Sequence, residues 1–461
     1  MLHFSAKLAL GFICFGCLLH AEPADWLYTA RYIVTMDARH ELIEDGAVAV
    51  KGERIAGVGK RADLEKQFQA SHRLDRPDAL IMPGLINTHT HAAMSLLRGI
   101  ADDLRLQDWL QKYIFPAEAK NVTPDFVLWG TRLASLEMML SGTTTFVDMY
   151  YFEDRAAQAT KEAGLRGVLG ETIIGFPAPD AKTPADSLRF TQRFIQQYKN
   201  DPLIIPAVAP HALYTNSDGD LRASRKLANQ YGVPLVIHLA ETKTENDDAR
   251  HKRGMSPTRI LDMLGVLDGP TIAAHGVWLD DADMKILKTR HVGIAHCPSS
   301  NMKLASGVAP VLKLFSNGIP VGLGTDGPAG SNNDFDLMEE MNLASDLQKV
   351  TSGDPTALPA FQAIEMATTI GARVAGLEKE IGSLDIGKRA DLITLRLDRP
   401  HAVPLYNVYS QIVYALKASD VEDVTVNGKP IVKDGRSLTL NEAQILTKAK
   451  EYQAKVAASL K

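Results

Sequence analysis

Six of the 13 histidines in this chain stand at the C-terminal edges of short apolar runs: His89, His91, His211, His238, His275 and His296. Imidazole is the side chain best suited to hold a transition metal or to move a proton near neutral pH. One buried histidine at such a place is most often a donor to a backbone carbonyl. Six on one rim are harder to explain that way, because each buried imidazole needs its own partner. His89-Thr90-His91 puts two imidazoles on the same face of an extended strand, since side chains repeat there with a period of two. His238 ends a later apolar run, and Asp326 follows the last one. Three imidazoles and one carboxylate suit Zn2+, and by ligand type Fe2+ as well. The carboxylate is also well placed to take a proton from an activated water.

Such residues need a frame that gathers them. Eight apolar runs of strand length are spaced along the middle of the chain, at residues 80–87, 143–150, 166–173, 204–210, 234–239, 271–274, 292–295 and 320–324. Amphipathic patterns of helical period, such as 125–140 and 220–231, lie between most of them. Near-continuous apolar strands separated by helices predict a parallel sheet covered on both faces. Eight such units predict an α/β fold, a (β/α)8 TIM-type barrel, whose catalytic face is the C-terminal edge of the strands. The histidines fall on that edge. Both ends of the chain carry short alternating runs broken by glycines, and Asn427-Gly428 between two β-prone runs is a hairpin signal. The reading is therefore a small β-sandwich built from residues 22–82 and 376–440, a barrel over 83–375 inserted between its halves, and a C-terminal helix over 441–461.

Four motifs in this order resemble the amidohydrolase superfamily: Pro83-Gly84-Leu85-Ile86-Asn87-Thr88-His89-Thr90-His91, His238-Leu239-Ala240-Glu241, His275-Gly276 and Gly324-Thr325-Asp326-Gly327. The likeness extends over the mature chain, including Gly382-Ser383-Leu384-Asp385-Ile386-Gly387-Lys388-Arg389-Ala390-Asp391. Two-metal members of that superfamily carry a bridging lysine at the end of the fourth strand. Here that strand ends Ala207-Val208-Ala209-Pro210-His211, so the single-metal deaminase branch fits best, with one Zn2+ on His89, His91, His238 and Asp326. Hydrolytic deamination of a ring needs water activated at one point and a ring nitrogen protonated at another. Glu241, three residues after His238, is the expected proton carrier. The resemblance implies that His275 orients the attacking oxygen and that Asp326 is catalytic as well as a ligand.

Substrate contacts are also implied by the resemblance. The segment Trp109 to Glu118, with Phe115, is similar to the one that caps the pocket in deaminases of 5-methylthioadenosine and S-adenosylhomocysteine. Glu118 matches a glutamate that accepts hydrogen bonds from ribose, a role suited to a group that only accepts. His211 matches a substrate-contacting histidine, and Ser331 lies in a loop that faces the substrate but is one residue longer here. Members that take the homocysteine adduct place arginines just after the third strand. This chain has Glu171 and Thr172 at that place, then a loop whose cation is Lys182. Glu171 is expected to repel an anionic tail, and Lys182 lacks a bidentate fork. The implied activity is deamination of an adenine nucleoside of the methylthioadenosine kind. The alternatives are an aminohydrolase or chlorohydrolase acting on guanine, a pterin or an s-triazine, and a non-catalytic metal-binding protein.

Composition excludes other classes. A hydrophobic content of 45% and a charged content of 23% are those of a globular protein. A net charge of −5 with both signs scattered offers no basic stripe for nucleic acid, so the expected partner is a small molecule. Lys7 followed by the apolar run 8–19 and His20-Ala21-Glu22-Pro23 reads as a signal peptide over residues 1–21. The run is short for a membrane span, which leaves a retained anchor as the alternative to an exported, periplasmic protein without stable membrane contact. Cys14 and Cys17 fall inside it, leaving Cys297 and no disulfide framework. Self-association into a homo-oligomer stays open.

Overall fold

The computed structural model describes residues 21–460. The segment read as a signal peptide, with Cys14 and Cys17, therefore lies outside the described residues apart from Ala21. Among the described residues, sixteen strands fall into two sheets. The first part of the chain forms β1 (Glu22–Val34), β2 (Leu42–Lys51), β3 (Arg54–Lys60) and β4 (Phe68–Pro83). Then come β5 (Leu85–Thr90), β6 (Thr143–Tyr150), β7 (Arg166–Ile173), β8 (Ile204–Pro210), β9 (Leu235–Leu239), β10 (Thr271–His275), β11 (Gly293–His296) and β12 (Val321–Leu323). The last part supplies β13 (Leu392–Arg396), β14 (Val421–Val426), β15 (Lys429–Lys433) and β16 (Arg436–Ser437).

Strands β5 to β12 are parallel and hydrogen-bonded in sequence order. Every residue of β6 and β7 is buried, which is why these strands read as unbroken apolar runs rather than alternating ones. The barrel closes between its ends. Thr90 bridges Asp326, the Asp326 amide donates to the His89 carbonyl at 3.0 Å, and Thr88 Oγ1 donates to Leu323 O at 2.8 Å. Closure thus brings the first motif against the last, 235 residues later.

The terminal strands form one mixed sheet in the order β16-β15-β14-β13-β4-β1-β2-β3, so both ends of the chain build one β domain. Its halves meet where β13 pairs antiparallel with β4. At the β14–β15 hairpin, Asn427 and Gly428 both have positive φ (53° and 74°), as a primed two-residue turn requires. The sequence run 80–87 divides between the sheets. Residues up to Pro83 end β4, and Leu85 opens the barrel. Gly84 is the pivot, and a side chain there would strike Thr144 at 2.2 Å. Both flanks of the pivot are buried, so hydrophobicity does not mark the break.

Sheet and barrel are joined by buried ionic contacts. Arg166, at the start of β7, sits 3.0 Å from Asp391 just before β13, and both side chains are nearly sealed from solvent. Outside the barrel, the helix Pro124–Leu140 is capped by Thr123 and followed in space by the C-terminal helix Glu442–Ser459, whose Tyr452 hydroxyl donates to Asp125 at 2.6 Å. Among the described residues no helix is long and apolar enough to cross a membrane. Cys297 is buried and unbridged.

Candidate active site

Parallel strands leave their last residues pointing from the C-terminal rim, and the chain places backbone acceptors there that fix two of the imidazoles. His91 Nδ1 lies 2.6 Å from Met149 O, and His238 Nδ1 lies 2.8 Å from His211 O. A carbonyl accepts but cannot donate, so both rings carry a proton on Nδ1 and turn Nε2 toward the centre. Against burial, the neighbouring Asp326 pushes His91 up to about 9, so an ion binding there displaces the proton on its Nε2. Those two Nε2 atoms stand 3.3 Å apart. Asp326 Oδ1 is 3.5 Å from His89 Nε2 and 3.3 Å from His91 Nε2. Donor atoms of His89, His91 and Asp326 lie within 4.8 Å of one another, as do those of His89, His238 and His275.

The chemistry of this donor set fits a cation. His89 is wholly buried with neither ring nitrogen partnered by a protein hydrogen bond. Burial pushes it down to about 4, so it is neutral, the form that ligates. Burial likewise holds His211 down at about 3 and pulls His238 well below its ordinary value. Against burial, the imidazoles of His89 and His91, 3.5 and 3.3 Å from its Oδ1, keep the Asp326 carboxyl well below the usual range. A borderline-soft ion with a preference for imidazole and a carboxylate, such as zinc, suits His89, His91, His238 and Asp326.

Glu241 and His275 stand on the wall of the same chamber, with His275 Nε2 3.8 Å from Glu241 Oε2. Burial raises the Glu241 carboxyl. Its loop is held by Glu245, whose carboxylate accepts from the amides of Ala240 at 3.3 Å and Glu241 at 2.8 Å. Three non-glycine residues here have positive φ: Ala240 (49°), His275 (72°) and Asp326 (64°). Such conformations cost about 1–3 kcal/mol each and persist where surrounding structure imposes them. They turn the chain at the strand ends so that the side chains converge.

The cap is the stretch from the π-helical turn Trp109–Ile114 into the helix Phe115–Asn121. Trp109 lines the chamber and donates from Nε1 to Ala329 O at 2.9 Å, which ties the cap to the loop after Asp326. Gly330, at φ 123°, permits that approach, because a side chain there would lie 1.9 Å from Ala101 O and 2.7 Å from Trp109 Nε1. Glu118 lines the chamber, 4% exposed, and accepts from the Tyr150 hydroxyl at 2.7 Å. Burial pushes it up to about 7 against that hydrogen bond. His211 lines the chamber too, with Nδ1 3.0 Å from Thr215 Oγ1. Phe115 closes the side, its ring centroid 5.1 Å from that of Phe176.

Two expectations are corrected. Ser331 is buried but lies outside the chamber wall, and its hydroxyl donates to Gly327 O at 2.7 Å within its own loop. Glu171 does not face the chamber either. Thr172 lines it instead, while Glu171 accepts from the Glu153 amide at 3.0 Å beside Asp180, with its pKa raised far above normal by burial. Side chains alternate along β7, so only one of the pair can face inward. Lys182 is exposed. His296 is also buried away from the chamber. Residues not singled out from the sequence are Tyr150, Tyr214, Glu245, Ser300 and Asn301. Tyr150 ends its strand at the catalytic rim, which was a usable signal; the others owe their places to tertiary packing.

Donors that converge on one point, at the C-terminal rim of a closed eight-stranded barrel, make this a hydrolase of the metal-centred TIM-barrel class. Residues 80–431 match the Amidohydrolase family, and the chain belongs to it. It is 46% identical over 440 residues to 5-methylthioadenosine/S-adenosylhomocysteine deaminase 1 of Syntrophus aciditrophicus, spanning 95% of this chain and 99% of that one. Among solved structures it is similar to an adenosine deaminase from Xanthomonas campestris with bound zinc, at 38% identity and a TM-score of 0.93, covering 95% of this chain and 100% of that one. An atrazine chlorohydrolase from Arthrobacter aurescens shares the fold at 24% identity and a TM-score of 0.85, over 93% of this chain and 100% of that one.

Proposed function

We propose that this chain is a zinc-dependent aminohydrolase that converts an adenine nucleoside, 5-methylthioadenosine above all, to the inosine derivative and ammonia. One observation carries the reading. A metal-ligand set and Glu241 share a chamber with a buried carboxyl, Glu118, that is suited to ribose hydroxyls. The relatives named for such deaminases, and the zinc-holding adenosine deaminase, support it.

His89, His91, His238 and Asp326 would hold the ion. When bound, zinc supplies Lewis acidity that lowers the pKa of water to about 7. Asp326 accepts the proton lost by the attacking water. Glu241, whose raised pKa suits the acid form, delivers its proton to the ring nitrogen next to the amino-bearing carbon. It then takes up the proton of the added hydroxyl and passes it to the departing amine. The proton held on Asp326 returns to Glu241 and restores the starting state. His275 Nε2, beside Glu241, orients the attacking oxygen. One C–O bond forms, one C–N bond breaks, and water plus the amino-purine becomes the oxo-purine plus ammonia. Glu118, with Oε1 occupied by Tyr150, accepts from the ribose, while His211 and Trp109 shape the slot for the base and sugar.

Outside the chamber, sharing Leu110, Phe115 and Tyr214 with it, is a cleft of about 850 Å3 for the 5′ substituent. Its cations are engaged, Lys252 with Asp248 at 2.8 Å and Arg253 with Asp218 at 2.7 Å, which favours a methylthio group over a carboxylate tail. Ammonia release by the zinc-loaded protein from methylthioadenosine, adenosine, S-adenosylhomocysteine, guanine, a pterin and a triazine tests the reading. Turnover should be fastest with the first. Turnover of a free base while the nucleosides stay inert would overturn it.

We also place the mature enzyme outside the cytoplasm, with residues 1–21 removed, on the strength of Lys7 and the apolar run behind it. N-terminal sequencing of the protein from a fractionated Gram-negative host should show a start near Glu22 in the periplasm. An intact N-terminus in the cytosol would refute this.

A further inference from the structure

The short helix Pro298–Lys303 and the turn after it touch three of the groups assigned to the reaction, although no residue of this segment stood out in the sequence. Ser300 Oγ donates to Asp326 Oδ2 at 2.7 Å. The Gly327 amide donates to Oδ1 at 2.7 Å, so both carboxylate oxygens are pinned and the plane of the group is set. The next residue, Asn301, has its Oδ1 3.1 Å from His275 Nδ1. Ser306 Oγ lies 3.5 Å from Glu241 Oε1.

We infer that this segment is the orienting element of the active site, with Ser300 and Asn301 as positioning residues that act through Asp326 and His275. The inference rests on the deaminase reading above. Ser300 is fully buried and Asn301 is 1% exposed, so neither has water to fall back on. Asn301 Nδ2 is buried with no partner, which leaves the bond to His275 as the hydrogen bond this side chain makes. An amide held only for packing would satisfy its donors as well. An amide oxygen facing Nδ1 keeps the His275 proton on that nitrogen and frees Nε2, which points toward Glu241. The same logic appears at His91 and His238, where backbone carbonyls do this work. At His275 a side chain does it, so here substitution can test it.

The segment is itself braced. Glu340 accepts from the Ser299 amide at 3.1 Å and from Asn332 Nδ2 at 3.1 Å, tying the helix to the loop that follows Asp326. Trp278 Nε1 donates to Ser306 O at 2.7 Å, and the Ser306 amide donates to Asn301 O at 2.8 Å. Rigid support of this kind is what precise placement of reacting groups demands, since a misplacement of an ångström costs about a hundredfold in rate.

The test uses the full-length zinc-loaded protein with Ser300→Ala, Asn301→Ala and Asn301→Asp. Each is read for kcat, KM, affinity for the inosine product, and the rate at which a chelator strips zinc. Removing partners that orient groups around a metal lowers activity or metal affinity by roughly 10–100-fold. Asn301→Ala should lower kcat by about that factor, with KM and product affinity within about twofold. Asn301→Asp keeps the acceptor and should recover most of the lost rate. Ser300→Ala should also speed loss of zinc by about tenfold, because Asp326 is then free to turn. Equal losses in Asn301→Ala and Asn301→Asp would overturn the assignment of Asn301. Unchanged kcat with only a lower melting temperature, or unchanged zinc retention in Ser300→Ala, would reduce the segment to packing. Should Asn301→Ala fail to fold, Asn301→Leu fills the same volume and is read identically. A wild-type protein that holds zinc but deaminates no nucleoside refutes the deaminase reading instead, and the zinc-retention arm still reports on Ser300.

Discussion

At the scale of single residues, the division of labour between Asp326 and Glu241 is the part of the mechanism most exposed to experiment. Glu241 is buried, its pKa is raised, and its loop is held by Glu245, yet it is not one of the four proposed ligands. Glu241→Gln should therefore leave zinc content intact while kcat falls by about a hundred- to ten-thousand-fold, the usual worth of a positioned proton carrier. Metal analysis beside steady-state kinetics checks this, and wild-type turnover in that variant would remove Glu241 from the reaction. The histidines and Asp326 were legible in the sequence because few other residues do such chemistry and because strand edges are where barrels place it. Glu171 was legible as a type but not as a direction. Both faces of β7 are buried, so no polar alternation tells which way the carboxyl turns. Ser300, Asn301 and Glu245 carried no signal at all. Serine, asparagine and glutamate serve everywhere, and their partners lie 26, 26 and 4–5 residues away through turns that no local pattern specifies.

Among elements, the strands were the readable part and their junctions were not. Eight consecutive buried residues announce β6 and β7, β8 is buried at every residue but Ile205, and the runs read from sequence coincide with those strands. Where β4 passes into β5 the apolar run continues through Gly84, and the change of sheet is dictated by the close approach of Thr144. A buried ion pair, Arg166–Asp391, links β7 to the terminal sheet. Asp391 Oδ1 also accepts from the Asn427 amide at 2.7 Å, and Arg166 Nη1 donates to Pro202 O at 2.9 Å, so the pair is sealed, with Nε the one guanidinium nitrogen of Arg166 left without a partner. Removing one partner of such a pair leaves a buried charge uncompensated, at a cost of about 3–5 kcal/mol. Arg166→Met should lower the urea midpoint accordingly, while the folded fraction keeps its turnover, because the pair lies at the opposite end of β7 from Thr172. The double variant with Asp391→Leu should regain part of the loss. A single variant as stable as the parent would show that the pair does not brace the junction.

For the whole molecule, the proposed ligands come from strand ends that are far apart in the chain, and those at β5 and β12 meet across the barrel seam. His89 lies at the end of β5 and His91 just beyond it, Asp326 follows β12, and His238 lies at the end of β9 on the far side of the rim. An ion held by all four ties the first, fifth and last strands of the barrel together, and only the closed barrel presents them at once. Binding to the native state alone stabilises it by RT ln(1 + [L]/Kd), about 4 kcal/mol at a thousandfold excess of ion over Kd. Calorimetry should then show a melting temperature that falls when a chelator removes the metal and returns when zinc is restored. A His91→Ala protein should melt near the stripped value whether or not chelator is present, since the seam has lost its ligand. The stripped protein should remain folded at ambient temperature, because a barrel of this size buries enough apolar surface to stand without the ion. A melting temperature indifferent to zinc in the parent protein would mean that these residues do not hold it in the native state, and the assignment of the site would fall with that result.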